Sequence, residues 1–144
     1  KQTTEVVASD ISEKALIIAN ENAILNKAEI TFIQSDLFDK IPGEFDIIIS
    51  NPPYISYHDK NTLENNVLNY DPHLALFADE EGMYFYRKII ENAKNHLVNN
   101  GIIFFEIGYD QKEKIQKLGE KNNFITKVHK DINGRDRIAI LTFK

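Results

Sequence analysis

Short runs of β-branched and aromatic residues alternate along the chain with stretches whose apolar positions recur at helical spacing. That alternation predicts a parallel sheet with helices on its faces. Glu5-Val6-Val7-Ala8-Ser9 predicts a buried strand ending at Asp10. Ser12 is placed to cap the following helix, and Leu16, Ala19 and Ala23 fall on one of its faces. A second strand over residues 30–34 ends at Ser35-Asp36. The third, Phe45-Asp46-Ile47-Ile48-Ile49-Ser50, is almost continuously apolar and is expected to be buried. It runs straight into Asn51-Pro52-Pro53-Tyr54.

Residues 55–81 break the pattern. They are polar, contain Asp71-Pro72, and predict a long loop with one short helix, a length that is usually functional or unstructured. Tyr86, Ile89, Ile90, Ala93 and Leu97 then recur at i, i+3, i+4, i+7 and i+11, which predicts an amphipathic helix closed by Asn99-Asn100-Gly101. A strand over residues 102–107 and a helix over 111–121 follow. Strands over 124–130 and 137–143 flank Asp131-Ile132-Asn133-Gly134-Arg135-Asp136, and the Asn-Gly pair favours an antiparallel hairpin. The predicted layout is β-α-β-β-loop-α-β-α-β-β, a parallel sheet closed by an antiparallel hairpin.

Composition narrows the chemistry. With 144 residues, 42% hydrophobic and 27% charged, the chain fits one domain with a substantial core. The absence of cysteine excludes a disulfide scaffold, a thiol nucleophile and a thiolate metal site. His58, His73, His96 and His129 have no ligand spacing, so no metal is expected. The formal charge of -5 disfavours nucleic-acid binding by phosphate neutralisation alone. No apolar run of about 18 residues spans a membrane, and Lys1-Gln2-Thr3-Thr4-Glu5 does not open a signal peptide. A cytoplasmic location is the default expectation.

The strongest chemical signal is Asn51-Pro52-Pro53-Tyr54, because ligands of open α/β sheets bind beyond the carboxyl ends of the strands. An amide or exocyclic amine nitrogen is a poor nucleophile, its lone pair being delocalised into a neighbouring π system. Two acceptors aimed at its hydrogens, the Asn51 side-chain oxygen and the Pro52 carbonyl, hold that lone pair toward an incoming methyl group. They also stabilise the positive charge that develops on nitrogen. The prolines fix the backbone, and Tyr54 offers a flat surface for a planar amide or base. The bland reading, a turn after a strand, suits a lone Asn-Pro better than the whole tetrapeptide.

Asp10 ends a strand where nucleotide-binding α/β folds place a carboxylate that accepts from ribose hydroxyls; the plainer reading is a carboxylate at a helix N-terminus. Asp36, Leu37 and Phe38 hold the equivalent place after the next strand, where an acid accepts from an adenine amine and apolar neighbours cover the ring. They read equally as a loop acid beside core side chains. Glu106-Ile107-Gly108 can line the same cleft, with Glu106 costly in an apolar strand unless paired. Arg135 and Arg137, near Asp131 and Asp136, read as a solvated hairpin cluster rather than a substrate clamp.

Together these residues resemble the release-factor glutamine methyltransferases over essentially the whole chain. The matching stretches are Ala8-Ser9-Asp10-Ile11-Ser12, Ser35-Asp36-Leu37-Phe38, the run from Phe45 to Ile55, Tyr70-Asp71-Pro72 with Ala75-Leu76-Phe77, Glu106-Ile107-Gly108 with Gln111, and Lys130-Asp131 with Gly134-Arg135-Asp136-Arg137. Asn-Pro-Pro-Tyr alone is shared with adenine and guanine amino-methyltransferases. The resemblance implies an α/β Rossmann-like, S-adenosylmethionine-dependent methyltransferase sheet in the strand order 3-2-1-4-5-7-6. It implies methyl transfer to a glutamine side-chain nitrogen in class 1 peptide chain release factors, without direct nucleic-acid or membrane partners. Asp10, Asp36, Leu37 and Asn51 are then the cofactor-binding candidates. Asn51, Pro52, Pro53 and Tyr54 are the substrate-binding candidates, with Asn51, Pro52 and Tyr54 catalytic. Some members have an aromatic at the Leu37 position, and Ala78-Asp79-Glu80-Glu81 stands where the family has a small, glycine-containing turn.

Against that family, the first strand with its Gly-rich loop and the helical N-terminal domain are missing; Gly43 is the first glycine. The expectation is a partial catalytic domain over residues 1–144 that binds cofactor weakly alone. Alternatively, the strands ending at Asp10 and Ser50 pair directly. The rival functions are a nucleic-acid amino-methyltransferase and a noncatalytic nucleotide-binding or interaction module. A nicotinamide-dependent dehydrogenase is weaker, since it leaves the tetrapeptide unexplained.

Overall fold

The structure is a computed structural model that describes residues 4–58 and 73–144. The chain forms two compact units, Lys1–Gly43 and Glu44–Lys144. In the first, strand β1 (Val7–Asp10) pairs in parallel with β2 (Thr31–Gln34), in register from Val7↔Thr31 to Asp10↔Gln34. Helix α1 (Glu13–Asn26) connects them, and the Ser12 hydroxyl caps it by accepting from the Ala15 amide at 3.3 Å. Ala23 is buried and Leu16 and Ala19 are half-buried, so the expected face is the covered one. Ile17, Ile18, Ile24 and Leu25 are exposed.

In the second unit, β3 (Phe45–Ser50), β6 (Leu97–Glu106), β7 (Phe124–Lys130) and β8 (Asp136–Phe143) form one sheet in the order β3-β6-β8-β7. β3 and β6 are parallel, while β8 runs antiparallel to both β6 and β7, as the Asn-Gly turn predicts. This order is the 4-5-7-6 part of the expected sheet. Two-residue strands β4 (Ile55–Ser56) and β5 (Phe77–Ala78) pair in parallel, with α2 (His73–Leu76) before β5 and the turn α3 (Asp79–Gly82) after it. The ends of the predicted long loop are therefore tied together, while Tyr70-Asp71-Pro72 lies outside the described residues.

Helix α4 (Tyr84–Ala93) buries Tyr86, Ile89, Ile90 and Ala93. Leu97 does not extend it, contrary to the periodicity, but opens β6 and is 3% exposed. An apolar residue that continues a helical spacing is equally at home in a strand beginning three residues after the helix. Asn99-Asn100-Gly101 therefore lies within β6 rather than closing a helix. It still breaks the local geometry: two steps along β3, from Phe45 to Ile47, match five along β6, from Leu97 to Ile102.

Two further expectations change. β1 is half-buried at Val7 and Ala8 and exposed at Ser9 and Asp10. β3 leaves Ile47 at 53% and Ile49 at 78% exposure. Among the described residues β1 pairs only with β2 and β3 only with β6, so neither is covered as a central strand is.

The core of the second unit lies on the face of β6 that carries Ile103, Phe105 and Ile107. Tyr86 meets Phe105 edge-on with ring centroids 5.2 Å apart, and its hydroxyl donates to the Glu106 carbonyl at 2.7 Å. On the same face, α5 (Lys112–Lys121) packs Ile115 and Gly119 toward β7 and β8. A Cβ at Gly119 would overlap the Thr126 hydroxyl oxygen, which is itself buried without a hydrogen-bond partner among the described residues. Gly to Ala inside a helix ordinarily stabilises by up to about 1 kcal/mol. Here overpacking reverses the sign, and Gly119→Ala is expected to destabilise by about 1–3 kcal/mol. Urea denaturation checks this, since a raised midpoint would show that α5 does not need the close approach.

Candidate functional site

Each group of predicted residues stands at the carboxyl end of its own parallel strands. In the first unit, Asp10 ends β1 and one carboxylate oxygen, Oδ1, accepts from the Ser12 amide at 2.7 Å. The local turn fixes the carboxylate and leaves its second oxygen without a hydrogen bond among the described residues. Asp36 follows β2 and is exposed, while Leu37 and Phe38 are half-buried. Leu37 adopts φ 47°, a left-handed conformation uncommon for a branched side chain. Flanking bonds hold it there: the Ser35 hydroxyl accepts from the Lys40 amide at 3.0 Å, and the Asp36 carbonyl accepts from the Asp39 amide at 3.1 Å. Gln34 steadies the first strand end by donating from Nε2 to the Ile11 carbonyl at 3.1 Å.

In the second unit, Asn51 leaves the end of β3 exposed, and its side-chain amide makes no hydrogen bond among the described residues. Pro52 is buried and Pro53 and Tyr54 are half-buried, so the segment is seated in the unit while its first residue projects. The Ser50↔Phe105 pairing fixes the entry. At the exit, the Tyr54 carbonyl accepts from Gln111 Nε2 at 3.1 Å. Gln111 is 3% exposed, and its Oε1 accepts from the Gly108 amide at 2.9 Å. These contacts bring Tyr54 and the Glu106-Ile107-Gly108 stretch together.

Glu106 is half-buried at the end of β6, with its carbonyl engaged by Tyr86. Burial drives the Tyr86 phenol far above its usual range, and the neighbouring Tyr54 and Glu106 push it the same way. It therefore stays neutral and donates.

Arg137 differs from its reading as part of a solvated hairpin cluster. Its guanidinium lies 3.7 Å from the Asp131 carboxylate, donates to the Ile107 carbonyl at 3.2 Å, and reaches the Tyr54 hydroxyl at 3.5 Å. The side chain is only 25% exposed. Arg135, by contrast, sits over the Tyr109 ring at 5.9 Å. Spacing between Asp and Arg in a hairpin cannot reveal that β8 stands beside the end of β6, which is what turns Arg137 toward Tyr54. Backbone amides of Asn133 and Arg135 donate to Asp131 Oδ1, and with the two arginines they hold its carboxyl below the ordinary value.

Residues 1–73 match the family model described as the methyltransferase small domain. The chain is 46% identical over 140 residues to the release factor glutamine methyltransferase of Lactococcus lactis, covering 96% of this chain and 52% of that protein. It is likewise 46% identical over 143 residues to that of Flavobacterium psychrophilum, covering 96% and 50%. The chain thus spans about half the length of these curated relatives. Among solved structures, the ribosomal protein L11 methylase from Lactobacillus delbrueckii subsp. bulgaricus superposes with a TM-score of 0.71 at 23% identity, covering 99% of this chain and 59% of that one. The fold is the Rossmann-like α/β fold of methyltransferases.

The Arg137 contacts give a stability prediction. A charged donor on a buried carbonyl contributes about 1.5–3 kcal/mol, whereas a solvated surface pair contributes about 0–1. Arg137→Met is expected to cost about 1.5 kcal/mol or more in urea unfolding. Tyr54→Phe, losing only a long contact, should cost under about 0.5. A neutral Arg137→Met would return the residue to the solvated cluster.

Proposed function

The chain belongs to the methyltransferase small domain family, and we propose that it is the catalytic part of an enzyme that methylates a glutamine side-chain nitrogen in class 1 peptide chain release factors, with S-adenosylmethionine as donor. The observation that carries this reading is the Asn51-Pro52-Pro53-Tyr54 segment. It is pinned at the carboxyl end of β3 with an exposed Asn51 at its head, whose side-chain amide makes no hydrogen bond among the described residues. The 46% identity to two release factor glutamine methyltransferases supports the substrate class.

The residues present fit the cofactor. Asp10 has a carboxylate oriented by Ser12 with one oxygen to spare, suited to ribose hydroxyls. Asp36 offers an exposed acceptor beside half-buried Leu37 and Phe38, suited to an adenine amine and ring. When bound, S-adenosylmethionine supplies an electrophilic methyl group on a sulfonium.

The protein's own task is to make an amide nitrogen act as a nucleophile. The Asn51 side-chain oxygen and the Pro52 carbonyl accept the two amide hydrogens, which localises the lone pair and orients it. Tyr54 packs against the amide plane. The amide nitrogen held there would take up the methyl group that the sulfonium supplies and would lose one proton to solvent. Positive charge develops on nitrogen beside two fixed oxygen dipoles, so these contacts strengthen in the transition state. No general base is required before transfer, and positioning supplies most of the rate.

The test is transfer of labelled methyl from S-adenosylmethionine to a purified class 1 release factor by the whole protein. Asn51→Ala is expected to lower kcat by roughly 100-fold or more, by analogy with loss of one preorganised transition-state dipole. Labelling of RNA or DNA with the release factor untouched would transfer the same chemistry to a nucleobase amine. Undiminished activity of Asn51→Ala would remove the proposed mechanism.

A further inference from the structure

We infer that Gln111 is a positioning residue for methyl transfer, acting through the Tyr54 carbonyl to set the direction of the substrate-facing acceptors. The inference rests on the proposed role of the Asn51–Tyr54 segment and adds to it a residue from a distant part of the chain.

Gln111 joins three backbone groups that are far apart in sequence. Its Nε2 donates to the Tyr54 carbonyl at 3.1 Å and to the Gly82 carbonyl at 3.4 Å. Its Oε1 accepts from the Gly108 amide at 2.9 Å. The side chain is held from behind, because the Gln111 amide donates to the Gly108 carbonyl at 3.0 Å and the residue stands at the N-cap of α5. An uncharged primary amide is the side chain that offers two donors and an acceptor in one rigid plane. Glutamate lacks the donors, methionine lacks both functions, and asparagine is one methylene short.

The geometry at the other end explains why this matters for chemistry. Ser50 is paired to Phe105 of β6, and Gly108 lies three residues further along the same stretch. The segment between Ser50 and Tyr54 is thus anchored at both ends to β6 and its continuation. Pro52 and Pro53 fix two φ angles in between. Few torsions remain free, so a displacement of the Tyr54 carbonyl is passed in part along the backbone to the Pro52 carbonyl.

Gly82 closes the node from the opposite side. It has φ 80°, and a Cβ there would overlap the Tyr54 carbonyl oxygen and crowd Gln111 Nε2 at 2.7 Å. The left-handed Glu80 and Glu81 deliver Gly82 to this place, and both are braced outside the node. Glu80 pairs with Arg87, and Glu81 with Lys114 at 2.7 Å. Those cations hold the two carboxyls below their ordinary values. The turn that replaces the family's glycine-containing one is thus stapled to α4 and α5, and its closing glycine seats the backbone of the catalytic segment.

The experiment compares Gln111→Glu and Gly82→Ala with wild type in the whole protein, measuring kcat and KM separately with a class 1 release factor, together with the Tyr54 carbonyl 13C resonance in the ligand-free state. Gln111→Glu keeps the size and the acceptor but loses both donors. The Tyr54 resonance is expected to shift, kcat to fall by about 10- to 100-fold, and KM for S-adenosylmethionine to change by less than about threefold. Gly82→Ala keeps the Gln111 amide chemistry while its Cβ displaces the same carbonyl and crowds Gln111 Nε2, so it should give the same split and carries the test if Gln111→Glu does not fold. Folded variants with wild-type kcat, whether or not the resonance moves, overturn the inference while the substrate reading stands. A wild-type protein that leaves release factors unlabelled is the separate failure of that reading, and removes this role with it.

Discussion

Strand β6 is hydrogen-bonded on both edges, and the second unit depends on that constraint. Its parallel pairing to β3 sets where the chain emerges at Asn51, and its antiparallel pairing to β8 brings Arg137 beside Ile107. Every second residue, Ile103, Phe105 and Ile107, is essentially inaccessible, and the sheet carries helices against it at Tyr86 and Ile115. A strand buried this fully cannot shift register by one residue without turning its apolar set outward. The polar groups attached to its end therefore inherit a fixed position. The proposed chemistry needs such a platform, because two weak dipoles can favour an amide nucleophile only if they do not reorganise when charge appears.

Much of this was legible in the sequence, for identifiable reasons. Phe45–Ser50 and Phe124–Lys130 are strands at the residues their patterns predict, because each is bounded by a proline, glycine or polar turn signal. Ser12 caps α1 as its side chain allows. The errors came where one pattern serves two structures. Leu97 fits both the helical spacing it extends and the strand it opens. An apolar run such as Phe45–Ser50 reads as buried on both faces, yet pairing on one edge leaves Ile49 exposed. Asn99-Asn100-Gly101 was a true signal of irregular backbone assigned to the wrong element, since it marks a register shift within β6.

The site shows the same division. Asn51, Pro52, Pro53 and Tyr54 announce themselves because they are contiguous, and the fold delivers them to a strand's carboxyl end. Gln111, Gly82 and Arg137 are 57, 28 and 83 residues away from Tyr54 in the chain; only the fold brings them near it. Gln111 entered only as one of the residues that carry the family resemblance, and Gly82 had no signal beyond being a glycine. The glutamates at 80 and 81 looked like a departure from a glycine-containing turn. They adopt left-handed backbone nonetheless, with ion pairs to Arg87 and Lys114 as compensation. Such exposed pairs contribute little individually, so the conformation owes more to Gly82 and the hydrogen bonds around it.

The proposed chemistry activates a side-chain amide nitrogen. Tandem mass spectrometry of a class 1 release factor, after the whole protein has acted on it, locates the methyl group. A single methyl group on the side-chain nitrogen of one glutamine is expected. A methyl group on a lysine, an N-terminus or a carboxylate would contradict it, since none of those atoms needs two acceptors to free its lone pair.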